Sequence, residues 1–329
     1  MKKRRLCALC AALTLLCACS RSAPGPAPGT TAPESTSSAA ELVTGLKEDE
    51  TETNGNKTVG ADSVRRVFYG ANTGTDRTLT GLEPLEPAEL SIAAMRKGLS
   101  TETIDHSFGV AENERPHRIS VEAQQRFDEE GLDAVVYDSR AAEKTLYLTF
   151  DCGYDNGQTG KILDTLKEKN VTAAFFCTLP ELQATQELTA RMIEEGHIVG
   201  NHSVTHPDFS ALTHEQMRDE VKGFDDYLRQ NFGYSAQFFR FPMGKYSMDA
   251  VAALNAMGYR CVFWSLAYYD WDLDKQPGVD NAIDTVVSRL HPGAVILLHA
   301  VSPDNAAALP RIIDKAREMG YTFRALNER

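Results

Sequence analysis

The chain has 329 residues, 42% of them hydrophobic, enough to bury a sizeable core, and it carries 46 acidic against 34 basic residues for a net charge of −12. So acidic a chain repels a phosphate backbone, which excludes a nucleic-acid partner. Beyond the first 19 residues the only cysteines are Cys152, Cys177 and Cys261, an odd set that permits one internal disulfide at most and excludes a disulfide-stapled scaffold.

Met1–Arg5 supplies a basic n-region, and Leu6–Ala18 an apolar stretch too short for a stable bilayer span, so residues 1–18 read as a signal peptide. Its end, Leu16-Cys17-Ala18-Cys19, follows the bacterial lipobox pattern, and Cys19 is the expected lipid anchor. The alternative is an ordinary, cysteine-rich signal peptide; either one exports the chain. The expected location is the outer face of the bacterial cell membrane, facing the cell wall. Residues 19–60 are rich in Ser, Thr, Pro, Gly and Glu and nearly devoid of large apolar side chains, so they form a disordered tether. A coil of that length has an end-to-end distance of about 35 Å.

Residues 61–131 form an N-terminal extension expected to pack beside the main domain, with turn-rich patches around Gly70–Gly81 and a helix at Pro87–Lys97. His106 and His117 are lone histidines in polar sequence and read as solvated surface residues.

The main domain spans residues 132–329. Apolar, β-branched or aromatic runs at Thr145–Phe150, Val171–Cys177, His197–Asn201, Gln237–Phe241, Tyr259–Trp264, Ala294–Leu298 and Tyr321–Leu326 alternate with segments of helical periodicity. One helix start is marked by Thr213 and Gln216 as a capping box, with Gly233 beyond its end. The class is α/β with a mostly parallel sheet. An open doubly wound sheet and a closed barrel both fit the alternation, but polar residues bunched at many strand ends favour a (β/α) barrel rim, with about seven parallel strands.

Five motifs sit at those strand ends. In TFDCGYDNG, Asp151 closes an alternating strand and turn residues follow at once, which points the carboxylate into a site. In HSVTH, His202 and His206 are four apart, the spacing with which one face of a helical turn grips a divalent metal, although Pro207 limits the turn. In FFRFPMGKYS, Arg240 ends a strand and is placed to hold a carboxylate ionised, while Pro242 and Gly244 shape a tight rim loop. In YYDWD, Asp270 is suited to orient a basic group and Trp271 to stack on a sugar ring. In VILLHAVSPDN, His299 emerges from four apolar residues as a candidate proton donor. Taken singly, each has a bland reading: packing histidines, a surface ion pair, a turn with a half-buried aromatic. His197 and His214 look structural, and Cys177 and Cys261 look like small buried side chains.

In this order the motifs resemble the polysaccharide deacetylases, carbohydrate esterase family four, over Leu132–Arg329. The resemblance implies a distorted (β/α) barrel in which Asp151 is the base, His202 and His206 hold zinc or another divalent metal, and His299 is the acid. Arg240 would brace Asp151, and Asp270 would tune His299. Leu297 would line an acetyl pocket, with Tyr154, Pro242, Lys245 and Trp271 on the substrate side. Cys152 stands where most of the family has a second, metal-binding aspartate; its thiolate is a zinc ligand in principle, or water fills that place. The branch that acts on N-acetylmuramic acid in spore cortex is similar in replacing that aspartate, in the Gly153–Gly157 continuation and in Ser302–Asn305. That branch carries a basic residue where Met243 stands here, so Lys245 would serve a lactyl carboxylate or the substrate differs. The implied activity is removal of N-acetyl groups from peptidoglycan, with muramic acid the favoured sugar. The alternatives are another acetylated glycan, such as a chitin-like oligomer, or a wall-binding module without turnover. A serine hydrolase is excluded because no G-x-S-x-G elbow is present.

Overall fold

A computed structural model describes residues 95–329, Ala142 excepted. The expected signal peptide, the Cys19 anchor, the tether, Gly70–Gly81 and residues 87–94 of the expected helix lie outside the described residues; Met95–Lys97, the remainder of that helix, is irregular.

In chain order the regular elements begin with β1 (Ile104–Asp105), α1 (Arg118–Glu129), β2 (Ala134–Val135), β3 (Thr145–Cys152), α2 (Thr159–Lys169) and β4 (Ala174–Cys177). There follow α3 (Leu179–Ala184), α4 (Gln186–Glu194), β5 (Ile198–Asn201), α5 (His214–Phe232), β6 (Phe238–Phe239) and β7 (Lys245–Tyr246). The chain ends with α6 (Met248–Ala256), β8 (Arg260–Val262), α7 (Val279–Ser288), β9 (Ala294–His299), α8 (Pro303–Glu318) and β10 (Thr322–Phe323).

The main sheet runs β10-β3-β4-β5-β6-β8-β2, with β9 also paired to β3, and every ladder in it is parallel. Bridges of Tyr137 with Ala294 and Leu266 with Ile296 tie the β2–β8 side to β9, so the sheet curls on itself into a distorted barrel, the form that the polar strand ends favour over an open sheet. All seven expected strands are present. An eighth, β2, is only two residues long and carries no alternation to betray it.

The period of two along β3 explains the layering. Leu146, Leu148 and Phe150 are buried with Ile162, Leu163 and Ile312 of the surrounding helices, while Tyr147 is buried inside the barrel with Phe176, Val262 and Val295. That parity carries Asp151 to the barrel interior and its neighbour Cys152 to the helix side. The Thr213 box forms as read: the Thr213 hydroxyl accepts from the Gln216 N–H at 3.3 Å, the Gln216 side chain accepts from the Thr213 N–H at 2.9 Å, and Gly233 closes the helix at φ 61°.

Helix α1 is part of the same core. Phe127 is fully buried and stacks on Phe263 at 5.2 Å, and Gln124 bridges the Ala134 carbonyl and the Val136 N–H. The residues ahead of α1 are fastened to the barrel by β1, which pairs antiparallel with β7, so that His106 N–H reaches the Gly244 carbonyl at 2.8 Å.

Candidate active site

The C-terminal ends of the strands surround a cavity of about 530 Å³ lined by Asp151, His202, His206 and His299. Asp151 and His299 are register partners on β3 and β9, so one strand pairing brings a carboxylate and an imidazole side by side.

Asp151 is buried, and its Oδ1 accepts from an Arg240 NH1 at 2.7 Å. Arg240 is fully buried; its other donors reach the carbonyls of Val262 (3.0 Å) and Phe263 (3.1 Å), and its guanidinium lies over Phe176. Burial alone would raise the Asp151 pKa, but Arg240, His202 and His299 outweigh it and hold the carboxyl below its ordinary value. The second oxygen, Oδ2, lies 3.7 Å from His202 Nε2 and is left for other work.

His202 follows β5 and directs Nδ1 to the Arg240 carbonyl at 2.8 Å. A carbonyl only accepts, so Nδ1 carries the proton and Nε2 keeps its lone pair. Burial lowers the His202 pKa to about 4 and also lowers that of His206, so both rings are neutral near pH 7. Their centroids are 4.9 Å apart, but no helical turn joins them. The HSVTH segment is instead a bend with positive φ at Ser203 (76°) and His206 (57°). Glu220 on α5 holds it by accepting from the N–H groups of Val204 (2.9 Å) and Thr205 (2.8 Å), and the Ser203 hydroxyl accepts from His206 N–H at 2.9 Å. Pro207 and this local hydrogen bonding outcompete the helix, and the strained backbone is retained where it aims two rings into the cavity.

His299 donates through Nδ1 to Asp270 Oδ1 at 2.6 Å, and its backbone N–H reaches the other oxygen at 2.8 Å. Asn305 on α8 donates to the same oxygen at 2.6 Å, and Ser302 caps that helix. Burial would lower the His299 pKa, but the hydrogen bond and charge of Asp270, with a contribution from Asp151, raise it above 6.5. Replacing Asp270 with Asn should therefore move the alkaline limb of the pH–rate profile to lower pH; an unmoved limb would dissociate Asp270 from the titration of His299.

Among the residues read as substrate-facing, Tyr154, Trp271 and Leu297 line the cavity, with Tyr154 and Trp271 half exposed and the Trp271 ring 5.3 Å from that of His299. Tyr269, which the sequence did not single out, lies 4.0 Å from Trp271 and extends that aromatic rim. Pro242 and Lys245 do not line the cavity. Pro242 is buried within its loop, and pairing of β7 with β1 leaves Lys245 against Asp208 at 3.4 Å. The exposed rim position is Met243, at φ 57°.

Cys152 is likewise turned away. It is fully buried in the core between sheet and helices, opposite its register partner Cys177, whose contact is the largest factor raising its pKa, with burial adding to it. A neutral thiol on the far face of β3 offers no third donor. Among the described residues no group of three or more His, Cys, Asp or Glu side chains is arranged around a metal position. The two neutral imidazoles fit a divalent ion as a pair of nitrogen donors beside an ionised carboxylate. The histidines read as structural behave so: His197 Nδ1 accepts from Ala173 N–H at 3.3 Å, and His214 pairs with Asp249 at 2.6 Å.

His106 departs most from its reading as a surface residue. Carried by β1, it enters the cavity wall, where Nε2 donates to the Trp264 carbonyl at 2.8 Å and Phe108 stands beside it. Only the pairing of β1 with β7 places it there, and a two-residue strand leaves no pattern in sequence.

The polysaccharide deacetylase family model matches residues 138–262. The chain is 37% identical over 237 residues to the peptidoglycan-N-acetylmuramic acid deacetylase PdaA of Bacillus subtilis, covering 72% of this chain and 89% of that protein. The structure of B. subtilis PdaA, a family 4 carbohydrate esterase, superposes with a TM-score of 0.66 over 70% of this chain and 97% of that one. A family 4 carbohydrate esterase from Bacillus anthracis does so at 0.57, with 37% identity and the same coverage. This chain belongs to the polysaccharide deacetylase family, carbohydrate esterase family four, and is thereby a hydrolase of amide bonds. Members of that family are generally metal-dependent.

Proposed function

We propose that the protein removes N-acetyl groups from peptidoglycan amino sugars, with N-acetylmuramic acid as the favoured residue, using a divalent metal held by His202 and His206. One observation carries the reading: an ionised carboxylate, two neutral imidazoles and an imidazole of raised pKa converge on one cavity. The choice of sugar rests on the likeness to a relative named for that substrate.

Asp151 is the general base. Arg240 keeps it ionised through Oδ1, which leaves Oδ2 to take a proton from water as the water oxygen adds to the acetyl carbon. A divalent ion at the two imidazoles, zinc by their donor chemistry, supplies polarisation of the acetyl carbonyl and acidification of water. As the C–N bond breaks, its electron pair leaves with nitrogen, which takes a proton from His299 Nε2; acetate and a free amine result. Asp270 supports this by stabilising the protonated ring through Nδ1. Leu297 borders the acetyl methyl group, and the Trp271 and Tyr154 rings present faces for the sugar. We further propose that Cys19 is lipidated and holds the exported enzyme at the membrane through the 19–60 tether, which the lipobox and the tether composition support.

The test is acetate release by residues 61–329 with zinc, on peptidoglycan strands with and without their peptides and on chitin oligomers. Preference for peptide-free strands is the expected result. Release from chitin oligomers alone would move the substrate to another glycan, and no release from any of them would overturn the deacetylase reading.

A further inference from the structure

In the cavity Asp151 is paired with Arg240, His202 with the Arg240 carbonyl, and His299 with Asp270. His106 has no part in the chemistry assigned so far. Its ring sits 4.9 Å from Phe263 and 4.8 Å, edge-on, from Trp264, and its Nε2 is committed to the Trp264 carbonyl. Because that partner only accepts, Nε2 bears the proton, and burial pushes the His106 pKa down to about 4, so the ring is neutral at the pH of the cell wall. Nδ1 therefore keeps a lone pair, and no described protein group donates to it.

The ring's place is built into the fold. Gly244 has φ +69°, and a Cβ there would meet Trp264 at 2.9 Å and the His106 Cβ at 3.3 Å, so glycine is what lets the histidine approach. Phe108, two residues on, lines the same cavity and packs against the barrel-interior cluster.

From this juxtaposition we propose that His106 is a substrate-binding residue: Nδ1 accepts a hydrogen bond from a hydroxyl or amide N–H of the bound amino sugar, and Phe108 covers the adjacent apolar face. An amino sugar carries several such donors, and an acceptor held in place in a cavity wall, shut off from water once the sugar is bound, favours a ligand that can donate to it. The inference rests on the deacetylase reading, yet it fails separately: acetate release by the wild type tests that reading, and only changes at His106 test this one.

Kinetics and calorimetric binding with soluble, peptide-free peptidoglycan strands would be compared for the wild type, His106→Phe and His106→Gln. His106→Phe keeps an aromatic ring and loses the acceptor; it should raise KM and Kd about 3- to 10-fold with kcat nearly unchanged. His106→Gln can donate to the Trp264 carbonyl and still present an oxygen, and should recover most of the loss. Unchanged KM and Kd in His106→Phe would overturn the proposal. So would equal loss of kcat and KM in both variants together with a lowered melting temperature, since that marks a purely structural residue. Should His106→Phe not fold, nitrogen NMR of histidine-labelled wild type decides: the Nδ1 resonance should shift as strands are added, and an unmoved resonance overturns the assignment.

Discussion

Replacing Asp151 with Asn should lower kcat by about 10²- to 10⁴-fold, the span that a positioned general base contributes. The amide keeps an acceptor for Arg240 at the position of Oδ1, where the wild-type contact is 2.7 Å, so the fold should persist and the melting transition should move little. The substitution leaves His202 and His206 in place, so zinc content measured on the purified variant should match that of the wild type. Activity above a tenth of the wild-type value would remove Asp151 as the base. Loss of zinc together with activity would assign the carboxylate to metal retention instead.

The second large effect is expected at Arg240. Arg240→Met keeps most of the aliphatic volume over Phe176 but removes a fully buried charge and leaves Asp151 without its counter-ion. Breaking one half of a buried pair typically costs about 3–5 kcal/mol, because the remaining charge is uncompensated. Part of the cost is avoided here because Asp151 can take up a proton, and this makes the effect depend on pH. In the wild type the folded pKa of Asp151 lies below its ordinary value of 3.8, so the pair's stabilisation is fully present above that value and is lost as pH falls through the folded pKa. In Arg240→Met the carboxyl is buried without the guanidinium, its pKa rises, and the acid limb of the pH–rate profile should move to higher pH. Denaturant unfolding and a pH–rate profile measure the two halves. A loss under about 1 kcal/mol with an unmoved acid limb would show that Arg240 does not hold Asp151 ionised.

The chemistry of this chain was unusually visible before folding, for a local reason. Asp151 closes an alternating strand, His299 follows an uninterrupted apolar run, and His202 and Arg240 sit one residue past a strand, so the end of each pattern marks them as rim residues without knowledge of which strands pair. The same period of two bears on Cys152: adjacent residues of a strand face opposite sides, so if Asp151 points inward its neighbour points to the helices. Asn305 was harder to see, since capping accounts for Ser302 but not for a side chain aimed at Asp270 across the loop.

By itself, then, the sequence determined the parallel α/β class, the rim position of Asp151, His202, Arg240, Asp270 and His299, and the Thr213 cap, because each depends on periodicity or on contacts within a few residues. The tertiary structure alone decided that β1 pairs with β7 and brings His106 and Phe108 into the cavity wall, that Glu220 pins the histidine bend, and that Lys245 is held by Asp208 away from the site. Those outcomes turn on contacts between segments 15 to 158 residues apart, where no local pattern records which partner a short strand or a single polar side chain will find.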